Sequence, residues 1–414
     1  MLNIGTGRKD LLTALTGQTV STFGDAVALV ALTLRLQAAG ARPYEVAVLL
    51  SAGILPLLLV SRLAGRLADS RDSRRLLVGA GLIQVACTVP LVVAHSVVII
   101  VLLVALLGAA AAVTAATWSA LIPRIVGPDH VAQAVSARQS LNALAMVGAP
   151  AIGGLLAGLF GSGLPLAIDA ATFVAMTVAA ALVRTRRKPA GRPADAQPAD
   201  GRPARPRGGF EILRSDGVLA PLTIGLVAVV LLVGMVDVVL VFLVRSTLHA
   251  GGTWYGVAEA AWMAGMVAGS LGSGRVRTEG GQVWAAIGGV GLACAALAPF
   301  AVVPAVWMLV PLSVLGGIGN GYAGACFSTL LITRTADAER GRVSAAANAA
   351  VGGAQGLSLL AGGAVAAALS PRAIYAVAGT LGVAVALAIA VGHAARAART
   401  GRLPLARSGE PAGS

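Results

Sequence analysis

Four acidic residues interrupt long apolar stretches of this sequence, and these residues could carry chemistry. They are Asp25, Asp169, Asp237 and Glu259. An ionised carboxylate is costly in hydrocarbon, so such a group normally faces a protein interior or a wet cavity. Burial also favours the neutral, protonated form of a carboxyl group. The four positions are therefore candidates for exchanging a proton or binding a cationic molecule.

Depth separates the four carboxyl groups into two pairs. Asp25 and Asp237 lie near the middle of their apolar runs and are the candidates for proton coupling or substrate binding. Their alternative role is to hold the bundle together through a hydrogen bond to a neighbouring helix. Asp169 and Glu259 lie about five residues from the outer ends of their runs, or roughly 8 Å deep at 1.5 Å per residue. Water reaches that depth, so for these two a structural role is expected.

Other chemistries lack the residues that they need. Cysteines and histidines are few and widely separated, so no local spacing forms a metal site. They are Cys87, Cys294, Cys326, His95, His130, His249 and His393. A phosphate-binding loop requires Gly-Lys-Ser/Thr, but Lys9 and Lys188 both follow arginine. We therefore expect no metal, no cofactor and no ATP hydrolysis.

The composition predicts an integral membrane protein made of helices. Of the 414 residues, 57% are hydrophobic and 12% are charged, whereas soluble domains carry about 25% charged residues. The 53 glycines and the 4% aromatic content suit closely packed helices better than a β-barrel. Twelve apolar runs are long enough to span a bilayer, which takes about 20 residues. They cover 11–38, 44–67, 76–94, 97–121, 132–160, 164–183, 217–244, 254–273, 282–299, 305–332, 343–368 and 373–392.

The basic residues predict the orientation of these spans. Lysine and arginine exceed aspartate and glutamate by 14, which in a soluble protein would suggest nucleic-acid binding. With the N-terminus in the cytoplasm, all but four of the 31 basic residues fall on the cytoplasmic side, as the positive-inside rule requires. The exceptions are Arg35, Arg42, Arg245 and Arg372. The surplus charge is thus explained by topology, and no nucleic acid is expected as a partner.

A linker and an internal repeat divide the chain into two halves. Residues 189–209 are rich in Pro, Gly, Ala, Arg and Asp without an apolar period, which predicts a flexible cytoplasmic linker. The predicted units are a six-helix bundle at 1–188, a second at 210–400 and a cytoplasmic tail at 401–414. Similar residues recur at offsets from 208, for Val135 and Val343, to 212, for Asp25 and Asp237. The repeat also predicts that the first span is retained and is not a signal peptide.

Two six-helix halves around a basic linker resemble the major facilitator superfamily. So does the loop between spans two and three, which reads Gly65-Arg-Leu-Ala-Asp69-Ser-Arg71-Asp-Ser-Arg74-Arg75. Within the superfamily, three stretches look like the corresponding stretches of the macrolide and enterobactin exporters. They are Gln18–Asp25, Ala120–Arg124 and Asp169–Phe173. The resemblance implies a monomeric twelve-helix transporter whose spans 1, 4, 7 and 10 line a central cavity. Asp25 and Asp237 would then lie on opposite walls of one site.

The resemblance also implies roles for two short motifs. In the family, the loop after span two forms a cytoplasmic charge network, and Gly65, Asp69, Arg74 and Arg75 match its pattern. Ser70 and Ser73 stand where basic residues are usual, with Arg71 one position late; alternatively, these arginines only set topology. In span five, Gly148, Pro150, Gly153 and Gly154 resemble the antiporter signature, although generic packing of small residues explains them nearly as well.

Charged residues near the outer ends of the spans are candidates for an external gate. The possible pairs are Arg35 with Glu45 and Arg245 with Glu259, while snorkelling to the interface is the alternative for both arginines. Gly319-x-Gly321-x-x-Gly324 fits a dinucleotide fingerprint, but it lies inside a span and is expected to be a packing face.

Together these features predict a secondary active transporter that exports an amphipathic small molecule, such as a drug, macrolide, siderophore or secondary metabolite, against protons. The alternatives are an importer or facilitator on the same fold, or an integral-membrane enzyme, against which the missing paired Asp motifs and histidine clusters count. Use of 29 arginines against two lysines suggests a GC-rich bacterial genome, and hence a multi-pass protein of the bacterial inner membrane with both termini cytoplasmic.

The predicted topology can be tested by labelling single cysteines from outside intact cells. A cysteine at Gly40 or Gly161 should react with an impermeant maleimide, because both positions fall in predicted outer loops. A cysteine at Gln197 should react only after the cells are permeabilised. External labelling at Gln197 would contradict the assignment of the linker to the cytoplasm.

Overall fold

The computed structural model describes residues 4–127, 130–183, 185, 208–337 and 339–400, and it is helical over nearly all of them. The helices of the first half are α1 (Ile4–Ala38), α2 (Pro43–Ser70), α3 (Ser73–Val93), α4 (Val97–Val126), α5 (Val131–Phe160) and α6 (Gly163–Leu182). Those of the second half are α7 (Gly209–Ser215), α8 (Leu219–Phe242), α9 (Gly252–Ser273), α10 (Glu279–Leu297), α11 (Leu309–Arg334), α12 (Arg340–Val365) and α13 (Pro371–Thr400). A π-helical turn, Leu243–Thr247, extends α8.

The predicted all-α class is confirmed, and each predicted span falls on one of the twelve long helices. Within the described ranges, ten helices are long and apolar enough to cross a membrane. The other two long helices, α9 and α12, are rich in Gly, Ala and Ser and carry charged or amide side chains. Both pack against the opposite half of the molecule, so they need less apolar surface than helices that face lipid. The predicted tail lies outside the described residues, as does the predicted linker except for Gly208 and Gly209.

Equivalent helices pack in the same way in both halves. In the first half α1 packs on α5 and α6, α2 on α4, and α3 on α4 and α6. In the second half α8 packs on α12 and α13, α9 on α11, and α10 on α11 and α13. The two bundles are therefore related by pseudo-symmetry, as the repeat predicts. We call the membrane side where α6 ends and α7 begins the linker side, and the opposite side the distal side.

Glycines bring the two halves into backbone contact on the distal side. A Cβ built on Gly154 of α5 would lie 3.0 Å from the Gly256 Cα of α9, and one built on Gly363 of α12 would lie 2.9 Å from the Tyr44 Cα of α2. Their neighbours Gly153 and Gly362 pack on α1 and α8 of their own halves. A Cβ at these positions would force the helices apart, which gives the repeated Gly-Gly pairs a physical reason. We call the α5–α9 and α2–α12 contacts the distal seam.

Apolar clusters show the same asymmetry between the two sides. One distal cluster joins Val30 and Leu34 of α1 to buried side chains of α8 and α9, and another joins Leu49 of α2 to Val238 and Leu359. On the linker side, one buried cluster contains only first-half residues and another only second-half residues. In the described part of the chain, the apolar contacts between the halves are thus concentrated on the distal side.

Local features fix where one helix begins and how the chain turns between others. Asp72, inside the loop motif, caps α3 by accepting a hydrogen bond from the Arg75 backbone N–H at 3.0 Å, which fixes where α3 begins. Gly40 and Gly161 have φ values of 81° and 74°, a conformation that side chains rarely adopt. For the topology experiment, the exposed neighbour Ala39 is therefore a better cysteine position than Gly40.

Substituting Gly256 should open the distal seam. A Cβ at this position would collide with the Pro150 carbonyl oxygen, and overpacking of this kind typically costs about 1–3 kcal/mol. For Gly256→Ala we expect longer distances between spin labels on the distal ends of α5 and α9, together with lower thermal stability. Gly288→Ala is the matched control, because a Cβ there meets no atom within 4 Å. Unchanged label distances in Gly256→Ala would show that the seam does not depend on this contact.

Candidate functional site

Asp25 and Asp169 lie together between α1 and α6. A Cβ built on Gly24 would be 2.7 Å from Asp169 Oδ1, so this carboxyl group rests directly on the α1 backbone next to Asp25. The two carboxyl groups are close enough to repel each other electrostatically. Asp169 is only 2% exposed, and the Thr172 side chain contacts its Oδ1 at 3.4 Å. Asp169 is therefore a buried neighbour of Asp25 that water hardly reaches, contrary to the expectation from its depth, while its structural role stays a prediction.

Asp25 itself borders open space inside the bundle. Its side chain is exposed to a water-sized probe although it lies in the middle of α1 and is closely surrounded by protein. The helices α1 and α5 run side by side: a Cβ built on Gly153 would meet Val27 and Val30, and Ala149 packs with Ala26 and Val27. Gly148, next to Ala149, lies within about one turn of the level of Asp25, and a Cβ there meets no atom within 4 Å.

Polar side chains continue from Asp25 towards the linker side. On α5, Asn142 and Arg138 lie nearer the linker side than Gly148, as Gln18 and Thr19 of α1 do relative to Asp25. Among the described residues, four polar atoms of this region are buried without a hydrogen-bond partner: Gln18 Nε2, Thr19 Oγ1, Asn142 Oδ1 and Arg138 Nε. Buried polar groups normally have partners, so each such exception calls for an explanation. A polar ligand or water that reaches these groups would provide one.

A second acidic cluster surrounds Asp237 in the other half. Asp237 Oδ2 accepts a hydrogen bond from Gln355 Nε2 of α12 at 3.1 Å. Glu259, which is half-buried, lies within electrostatic reach of Asp237, so the second half also contains a pair of carboxyl groups. The structure places Asp25 and Asp237 in separate clusters, each with a second carboxyl group from its own half.

Two buried tyrosines belong to the second cluster, and one of them contacts the first half. Tyr255 and Tyr375 are both buried, and both interact electrostatically with Glu259. The Tyr255 hydroxyl lies within hydrogen-bonding reach of Thr33 on α1. Tyr375 stacks on Phe300 with ring centroids 4.8 Å apart. A change in the charge of Glu259 would therefore be felt at a contact between the two halves.

The candidate gate residues have other partners in this conformation. Arg35 donates hydrogen bonds to the carbonyl oxygens of Leu91, Val92 and Ala94, which closes the C-terminus of α3. Glu45 accepts a hydrogen bond from the Arg42 backbone N–H at 2.6 Å. The Arg35–Glu45 pair is thus replaced by two local structural roles.

Arg245 contributes to the contact between the halves in a different way from that expected. Its Nε donates to Gln37 Oε1 of α1 at 3.3 Å and its guanidinium also donates to the Ala250 carbonyl oxygen. The π-helical turn that contains Arg245 carries this side chain to the loop, whereas Glu259 faces Asp237 and Tyr255. The hydrogen bond to Gln37 therefore takes the place of the Arg245–Glu259 pair.

The loop motif lies at the linker-side end of α2. Gly65 is half-buried, and a Cβ on it would meet no atom within 4 Å. Asp69 and Arg71 are exposed, Arg74 is half-buried, and Arg75 is exposed in the first turn of α3. The motif residues thus surround the turn between α2 and α3.

At the linker side of the second half, Arg334 forms ion pairs with Asp216 and Glu279. Burial by itself raises the pKa of the Asp216 carboxyl group. Hydrogen bonds from two backbone N–H groups and from Arg334 outweigh this effect, so the pKa of Asp216 lies below its usual value. No sequence pattern pointed to this ion-pair cluster, because its three members come from three separate loops and helix ends.

Comparison with known proteins identifies the family. The family model described as Major Facilitator Superfamily matches residues 14–278, and the chain belongs to this family. A search of the curated proteins gives no match.

Solved transporter structures share the whole fold at low sequence identity. A mutant of the nucleoside transporter NupG has a TM-score of 0.71 at 12% identity and covers 92% of this chain and 99% of its own. A bacterial homologue of the iron transporter ferroportin, in an inward-facing state, has a TM-score of 0.70 at 13% identity, covering 92% and 98%. A mutant of the peptide transporter POT has a TM-score of 0.71 at 14% identity, covering 95% of both chains. These likenesses show a transporter fold.

Carboxyl-directed labelling tests the geometry of the first acidic pair. A hydrophobic carbodiimide should modify Asp25, which borders open space, much faster than Asp169, which is 2% exposed. Gly24→Ala should raise the labelling of Asp169, because the added Cβ collides with Thr172 and Asp169 and separates α6 from α1. Gly163→Ala, where a Cβ meets no atom within 4 Å, is the control. Peptide mass spectrometry measures both sites, and equal labelling of Asp25 and Asp169 in the wild type would contradict the arrangement.

Proposed function

We propose that this protein is a secondary active transporter that exports an amphipathic small molecule in exchange for protons. The observation that carries the proposal is the pair of Asp25, which borders internal open space, and Asp169, which is buried beside it. Two carboxyl groups this close disfavour double ionisation, so the pair is suited to hold a proton and to release it when its surroundings change.

Orientation gives the described conformation a functional meaning. The positive-inside rule supports a cytoplasmic linker side, and hence cytoplasmic termini in a bacterial inner membrane. With that orientation, the distal seam closes the outer side while the separate linker-side clusters leave the cavity open towards the cytoplasm. This conformation would receive substrate from the cytoplasm, as an exporter requires. Alternating access would then proceed by opening the seam and closing the linker side.

The charge network around the α2–α3 turn is suited to stabilise the closed linker side. In the outward-open state, Asp69, Arg74 and Arg75 would contact the second half and so bias the equilibrium between the two conformations. Gly65 leaves room for another helix to approach, because a Cβ on it meets no atom within 4 Å. The network would act on the conformational equilibrium without contacting substrate.

The character of the cavity supports an amphipathic substrate. Gln18, Thr19, Asn142 and Arg138 are partly exposed polar residues on the linker side of Asp25. Leu29, one turn beyond Asp25 on α1, is exposed and offers apolar surface. A compound with an apolar body and a few polar groups matches this combination, as drugs, macrolides, siderophores and secondary metabolites do. We also propose that the chain acts as a monomer, because both six-helix bundles of the transporter fold lie within one chain.

Transport by carboxylate variants tests coupling directly. A panel of dyes and antibiotics, assayed for accumulation in cells with and without the protein, first supplies a substrate. In proteoliposomes with a proton gradient, Asp25→Asn should lower uphill export at least tenfold but retain downhill exchange, because the amide is nearly isosteric and cannot release a proton. Asp169→Asn should also weaken coupling, since the remaining carboxyl group loses its neighbour.

The controls distinguish a loss of proton coupling from a loss of folding, and the accumulation assay reports the direction of transport. Asp337→Asn changes a surface carboxyl group that pairs with Arg340, and it should transport normally. Full gradient-driven export by Asp25→Asn would reject its role, and loss confined to Asp237→Asn would assign coupling to the second cluster. Accumulation of substrate in cells that express the protein would indicate import.

A further inference from the structure

The distal end of α8 departs from a regular helix. Residues Leu243–Thr247 form a π-helical turn, in which each backbone hydrogen bond spans one residue more than in an α-helix. The loop beyond it contains His249, whose φ of 52° is the one positive value among the described residues other than glycine. Both conformations are uncommon, and unusual backbone of this kind persists only where its surroundings hold it in place.

Buried contacts and backbone hydrogen bonds hold this segment. Leu243 and Val244 are fully buried, in an apolar cluster that also contains Leu34 of α1. The Leu248 N–H donates to the Leu243 carbonyl oxygen at 2.9 Å, which closes the π-helical turn. The Ala250 N–H donates to the Val244 carbonyl oxygen, also at 2.9 Å. The conformation of the segment therefore depends in part on contact with the first half.

One side chain of the first half binds two side chains of the π-helical turn. Gln37 Oε1 accepts a hydrogen bond from Arg245 Nε at 3.3 Å, and Gln37 Nε2 donates to Ser246 Oγ at 3.5 Å. Arginine can only donate, so the carbonyl end of the amide group must face Arg245. Both ends of one amide group are thus used between the halves. We call these three residues the distal latch.

The contacts of the distal latch are suited to open. Both hydrogen bonds are longer than the usual range of about 2.7–3.2 Å. Gln37 is half-buried and Ser246 is exposed, so water can replace these bonds when the halves separate. Arg245 then keeps a second acceptor, the Ala250 carbonyl oxygen at 3.2 Å. In the described part of the chain, Arg245 forms no ion pair with a carboxyl group.

We propose that the distal latch holds the distal seam closed and releases it when the two halves separate during transport. The π-helical turn positions the latch directly before α9, which forms the seam with α5. An α-helical turn contains 3.6 residues, so a regular helix here would rotate the chain beyond it by roughly 100°, or one residue. Ser246 would then face away from Gln37. This role rests on the proposed function, in which alternating access requires the seam to open.

Distances between spin labels test the latch in the full-length protein. The labels are placed at the exposed distal positions Phe160 and Leu369, one in each half. Gln37→Leu removes both hydrogen bonds at similar size and should raise the ratio of open to closed molecules about tenfold, which corresponds to about 1.4 kcal/mol. Gln37→Glu should lower this ratio, because a carboxylate accepts a stronger, charge-assisted bond from Arg245. The Ser246 hydroxyl can donate to the same carboxylate.

Deletion of Thr247 tests the role of the π-helical turn. Without this residue the turn should become α-helical and displace Ser246, so the molecules should open as in Gln37→Leu. The deletion should add little opening to Gln37→Leu, because two changes that act through the same contact are not additive. Full additivity of the two changes would show that the turn does not act through Gln37. If the shortened protein is unstable, the two substitutions of Gln37 still decide whether the latch exists.

A matched control and the opposite signs of the two substitutions make the outcome decisive. Gln133→Leu changes an exposed glutamine near the linker-side start of α5 and should leave the distal distances unchanged. Unchanged distances in Gln37→Leu, or equal opening by Gln37→Leu and Gln37→Glu, would overturn the proposal. The distances are measured without substrate or gradient. A protein that responds to the Gln37 variants but shows no gradient-driven export would therefore retain the latch and contradict only the proposed function.

Discussion

The structure depends on helices that approach each other until their backbones touch. At the distal seam, Gly154 meets the backbone of Gly256, and Gly363 meets the backbone of Tyr44 and the Cβ of Ala47. Contacts this close gain dispersion energy only while the glycines are kept. Two helices of this interface, α9 and α12, are the long helices of the described residues that lack an apolar stretch typical of a membrane span.

The acidic clusters lie where this packing places them. Gly24 allows α6 to approach α1 so closely that Asp169 contacts the α1 backbone beside Asp25. In the second half, Gly234 lies against Gln355 and Ser358 of α12, and Gln355 in turn binds Asp237. Each cluster therefore contains two carboxyl groups from neighbouring helices, and the second also reaches α1 of the other half through Tyr255 and Thr33. In the second cluster, charge and contact between the halves are therefore physically linked.

Pseudo-symmetry does not make the two halves equivalent. The first cluster borders open space and continues into polar groups on α1 and α5, whereas the second is lined with buried tyrosines and carries a hydrogen bond from Gln355. The π-helical turn at the distal end of α8 likewise belongs to the second half. A repeated backbone thus supports different side-chain chemistry in its two copies, which is what a coupling site and a structural cluster would each need.

The helical class, the number of spans, the division into halves and the Gly-Gly pairs can all be predicted from the amino-acid sequence. Each of these follows from apolar run length, charge distribution or a repeated offset, all of which are local or periodic. The partners of individual side chains, in contrast, depend on how the helices pack. The depth of Asp169 and Glu259 along the chain predicts an interfacial position, but each lies beside a second carboxyl group on a neighbouring helix. The sequence allows an ion pair between Arg35 and Glu45. In the structure, Arg35 instead binds the carbonyl oxygens at the end of α3, and Glu45 binds a backbone N–H group at the start of α2. Rotation about a helix axis and the level at which two helices meet set these contacts, and neither quantity can be read from spacing along one chain.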